Sequence, residues 1–94
     1  MNKAEALAIV RDALDELRLL PHAELANMVG NPEHREALGA SGTSYQIEVE
    51  AVWDGGQPGG DLRVWAAIDD GGWRAFAPLT KSFIVRPDGS FVGE

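Results

Sequence analysis

A chain of 94 residues with no cysteine has room for one core of its own, and it excludes disulfide staples, thiolate catalysis and Cys-ligated zinc. Its formal charge of −7 argues against nucleic acid and anionic membranes as partners, because binding to phosphate rests on Lys and Arg. A balance of 45% apolar and 24% charged residues excludes wholesale disorder. Charges interrupt the stretch Met1–Asp12 too early for a signal-peptide core, and no apolar run reaches membrane-spanning length. The expectation is a soluble, cytoplasmic, single-domain protein, with residues 1–39 helical and 43–94 forming a sheet.

Asn2 is a candidate helix cap, with Glu5 three residues on where a capping-box partner belongs. Leu7, Val10, Leu14 and Leu17 recur at helical spacing, widened by Ala6, Ala13 and Leu20, and Pro21 stops the pattern. Arg11 and Arg18 are both placed to pair with Asp15 on the polar face. A second short helix is expected from Pro21 to Val29 with Gly30 after it, and a third from the Asn31-Pro32 cap to Leu38. Ala40–Gly42 then reads as a linker.

From Thr43 the period changes to two. Tyr45, Ile47, Val49, Ala51 and Trp53 share one face of a strand, and Ser44, Gln46, Glu48, Glu50 and Val52 the other. The Gly-rich segment Asp54–Asp61 reads as an exposed, mobile loop. Pairing across it brings Trp53, Ala51, Val49 and Ile47 opposite Leu62, Val64, Ala66 and Ile68, and the two apolar faces agree. Asp69-Asp70-Gly71-Gly72 is a hairpin signal that sets Ile68 opposite Trp73 and Trp65 opposite Phe76. A strand over Ser82–Arg86, a turn at Pro87-Asp88-Gly89 and a short last strand at Ser90–Val92 complete the chain. The fold class is α+β: an amphipathic helix and one or two short helices on one face of a four- or five-stranded antiparallel meander. A curled, barrel-like sheet is the alternative.

This register assigns Glu48, Ala67 and Arg74 to one row of the face away from the helix, Glu50, Trp65 and Phe76 to the next, and Val52 and Arg63 beyond. Paired large aromatics on a polar face mark either an interaction patch or a region covered by the chain itself. Trp53 and Trp73 read as core. His22 and His34 read as surface histidines, since the i,i+4 pair of a metal helix is absent. The aspartates beside glycines suit turn chemistry, without the spacing of a calcium loop. The serines lack a strand-turn-helix elbow and a histidine base, and the Gly pairs lie between strands, so neither acyl transfer nor a phosphate cradle is indicated.

The leading expectation is a non-catalytic interaction domain without a cofactor. It would bind a basic protein through Trp65, Phe76, Glu48, Glu50, Arg63 and Arg74, as an immunity- or antitoxin-type inhibitor does. The alternative is a small-molecule-binding or catalytic domain with a pocket between helix and sheet, lined by residues such as Tyr45, Trp53 and Trp73. Homodimerisation through the aromatic face or an edge strand is a third possibility.

Overall fold

The structure, a computed structural model, describes residues 1–72 and 78–93. Helices α1 (Lys3–Arg18) and α2 (His22–Ala26) precede strands β1 (Glu33–Leu38), β2 (Ser44–Trp53), β3 (Leu62–Asp69) and β4 (Leu79–Val85). The strands form one antiparallel sheet in the order β1-β2-β3-β4, so the α+β meander is present as an open sheet with two edges. None of the helices described is long and apolar enough to cross a membrane.

The Asn2 side chain caps α1, accepting from the Glu5 N–H at 3.1 Å. Ala6, Val10, Ala13, Leu14 and Leu17 then turn inward on one stripe. Leu20 does not widen that stripe: the helix ends at Arg18, leaving Leu20 38% and Leu19 85% exposed. Asp15 pairs with Arg18 at 3.0 Å rather than with Arg11. Pro21 precedes α2 as its cap rather than starting it, and α2 ends at Ala26, three residues short of Val29. Leu25 is its one buried residue. Val29 instead makes a single bridge to Ala51.

The stripe of α1 and Leu25 meet Tyr45, Ile47, Val49, Ala51, Leu62, Val64, Ala66, Ile68, Phe83 and Val85 in one continuous core. Burying each Leu, Ile, Val or Phe stabilises by about 1.5–3 kcal/mol, so this layer holds the helices to the sheet. The β2–β3 register is the expected one, Trp53 to Leu62 through Ile47 to Ile68. Asp54 N–H closes its loop on the Asp61 carbonyl at 2.8 Å. That loop is exposed but not wholly irregular, since Asp54–Gly56 forms a 3₁₀ turn.

Two expectations are corrected. Residues 33–38 form the edge strand β1, not a third helix. A helix there would bury only Ala37 and Leu38, too little to hold a short helix. As a strand the segment instead satisfies the outer backbone groups of β2. Its linker is thus a hairpin turn, with Gly39 N–H donating to the Thr43 carbonyl at 2.8 Å.

The second correction concerns the partner of β3. Ile68 pairs with Leu79 and Trp65 with Ser82, not with Trp73 and Phe76. The strand expected at Ser82–Arg86 begins earlier, at Leu79, and is the direct neighbour of β3. Residues 73–77, with the expected site residues Arg74 and Phe76 and the expected core residue Trp73, lie outside the described residues. At the C-terminal end, Arg86–Gly89 forms the expected turn, closed by Gly89 N–H on the Arg86 carbonyl at 2.8 Å. The last strand is reduced to one bridge, Val85 to Phe91.

Candidate functional site

Alternation along the strands leaves one face of the sheet without a helix on it among the described residues. One row across it runs Glu50, Trp65, Ser82; its neighbours run His34, Glu48, Ala67, Thr80 and Val52, Arg63, Ile84. Glu48, Glu50, Arg63 and Trp65, all chosen from sequence, therefore share this face. Trp65 is half-buried there between Glu50 and Ser82, and Val52 is 40% exposed. Glu36 and Gln46 extend the same face toward the β1 edge.

Charge is distributed unevenly over this surface. Glu48 and Glu50 form no ion pair among the described residues. Arg63 is held by two contacts, Nε to Asp54 Oδ1 at 3.4 Å and Nη1 to Ser82 Oγ at 3.3 Å. Together with Trp65, Thr80, Lys81 and Ser82 it lines a hollow of about 340 Å³. The β1–β2 half of the face is thus acidic and the β4 side is basic and aromatic.

The opposite side of the molecule carries a polar cluster that sequence reasoning placed elsewhere. Glu5 does not complete a capping box. Its carboxylate accepts from Ser41 Oγ at 2.6 Å, Ser41 N–H at 3.0 Å and the Tyr45 hydroxyl at 2.8 Å. These bonds clamp the first turn of α1 to the β1–β2 hairpin. The Ser41 hydroxyl, then Tyr45, hold the Glu5 pKa below its ordinary value. Burial, helped by Glu5, pushes the Tyr45 hydroxyl up. The carboxylate lies over Gly39, where a Cβ would collide with Glu5 Oε1 and Cδ.

Of the residues expected to line a pocket between helix and sheet, Trp73 lies outside the described residues. Tyr45 is fully buried with its hydroxyl on Glu5, and neither it nor Trp53 lines the hollow beside Trp65 or those against α1. His22 is not a plain surface residue. It is half-buried, its Nε2 lies 2.9 Å from the Gly60 carbonyl, and its ring is 5.9 Å from that of Trp53. It fastens the Gly-rich loop to α2. His34 is exposed on the open face opposite Glu48. Among the described residues no three His, Asp or Glu side chains gather to hold a metal ion. No family model, curated protein or solved structure matches this chain.

Proposed function

We propose that this chain is a non-catalytic interaction domain, acting in the cytoplasm, that binds a basic protein partner through the open face of its sheet. The observation that carries this reading is the juxtaposition of half-buried Trp65 with the carboxylates of Glu48 and Glu50, which form no ion pair among the described residues, on a face no described helix covers. A half-buried indole offers a large contact area at low entropic cost, and the flanking carboxylates select for Lys and Arg on the partner. The excess of acid over base in the chain extends the same selection to longer range by steering a basic partner inward. An inhibitor of a basic toxin is one role that fits these properties.

The test is capture of partners from the native host on immobilised wild type and on Trp65→Ala, with the stability of both measured. The reading expects a basic protein that wild type retains and the variant loses, while the variant stays folded. Loss of folding on substitution would instead make Trp65 a core residue.

A further inference from the structure

We propose that the outer edge of β4 is a docking site for an extended peptide whose side chains alternate acidic and apolar, added as a further strand of the sheet. The site shares Trp65 and Arg63 with the open face, but it is centred on the backbone of the β4 edge and its partner carries the opposite charge. Lys81→Glu therefore tests it apart from the open-face reading, which rests on Glu48 and Glu50.

The backbone comes first. Arg86 N–H donates to the Ser90 carbonyl at 2.8 Å and Val92 N–H to the Ile84 carbonyl at 2.9 Å, both on the side of β4 away from β3. Successive residues of an antiparallel ladder turn their backbone groups to opposite sides. Thr80 and Ser82 therefore face outward like Ile84, and no backbone group takes theirs among the described residues. Residues 90–92 already use one end of this edge as a strand would. Among the described residues the stretch 79–83 is left open, and Val92 sets its limit.

Two hollows flank that stretch on opposite sides of the sheet. On the open face lies the one of about 340 Å³, walled by Trp65, Arg63 and Thr80. On the helix side lies one of about 240 Å³, walled by Arg11, Leu14, Asp15 and Arg18, and Lys81 and Ser82 border both. An added strand sends alternate side chains to the two sides, which is how edge-binding domains read sequence.

Charge then selects the occupant. On the helix side Asp15 is engaged by Arg18, whereas Arg11 and Lys81 form no ion pair among the described residues. Carboxylates entering there meet two uncompensated cations. On the other side Asp54 already holds Arg63, so the indole of Trp65 offers the better contact and favours an apolar side chain.

The experiment titrates the full-length, ¹⁵N-labelled chain with an acetylated and amidated pentapeptide, Glu-Val-Glu-Val-Glu, following amide shifts and heat. The proposal expects saturable shifts centred on Thr80 and Ser82, weakened by salt, and at least about a tenfold loss of affinity in Lys81→Glu, or about 1.4 kcal/mol. The same peptide N-methylated on its β4-facing amides, which leaves the protein untouched, should not bind. Ser82→Pro should also abolish binding, because the N–H it removes points away from β3. Absence of saturable shifts at Thr80 and Ser82 would overturn the proposal. So would equal binding of a Lys-Val-Lys-Val-Lys peptide, or undiminished binding of the N-methylated one.

Discussion

Ile68→Ala is the sharpest probe of how the sheet is registered. Ile68 is fully buried, pairs with Ile47 on one side and Leu79 on the other, and belongs to the layer that meets α1. Truncating a buried Ile to Ala costs about 2–5 kcal/mol, the transfer term plus the cavity left behind. Single domains are stable by only about 5–15 kcal/mol, so the loss is a large fraction of the whole. A cost of about 3 kcal/mol lowers Tm by roughly 12–24 °C at this size. Val52→Ala, on the opposite face and 40% exposed, should cost under about 1 kcal/mol. Urea unfolding followed by tryptophan fluorescence measures both, with the m-value unchanged if each mutation acts on the folded state. A one-residue slip would exchange the two faces. If Val52→Ala cost more than Ile68→Ala, the register and the identity of the open face would both be refuted.

Gly39→Ala should destabilise by forcing Glu5 off its partners, and Glu5→Ala should relieve much of that cost. A double-mutant cycle by denaturant unfolding would then give a coupling well away from zero, and additivity would contradict the clamp. The pH dependence follows from the sign of the shifts. Hydrogen bonds from Ser41 and Tyr45 to Glu5, and from Ser90 to Asp88, depress those carboxyl pKa values in the folded state. The stability they contribute is present above the ordinary carboxylate range of about 4 and is lost as pH falls through the lowered values. Unfolding midpoints measured from pH 7 downward should decline below about pH 4, and less steeply in Glu5→Gln.

The β2–β3 pair was legible because both strands alternate cleanly and the Gly-rich loop between them can close only at its base. Given that alternation, the common face of Glu48, Glu50, Arg63 and Trp65 follows without further information. Turn chemistry at Asp69–Gly72 was also legible: Asp69 Oδ1 accepts from Gly71 N–H at 2.8 Å, and Gly71 has φ of +79°. What such local bonding cannot specify is which later segment pairs with β3, and that segment is β4, with Ile68 opposite Leu79. β4 is hard to recognise because Lys81 occupies a helix-side position beside buried Phe83 and Val85, breaking the alternation. β1 is hidden by its composition. Glu, Arg, Ala and Leu favour a helix locally, and the free edge of β2 overrides that preference. Both hollows on the β4 edge depend on the β3–β4 register, so neither could be read before it was known.

The central claim is that binding belongs to the open face while the opposite face is core. Amide-shift mapping of the ¹⁵N-labelled chain against the basic protein it retains tests that most directly. The account predicts perturbations concentrated at Glu48, Glu50, Val52, Arg63 and Trp65, lost in the Glu48→Lys, Glu50→Lys double variant. Perturbations that map instead to α1 and the Glu5–Ser41–Tyr45 clamp, or that survive the double charge reversal, would contradict it.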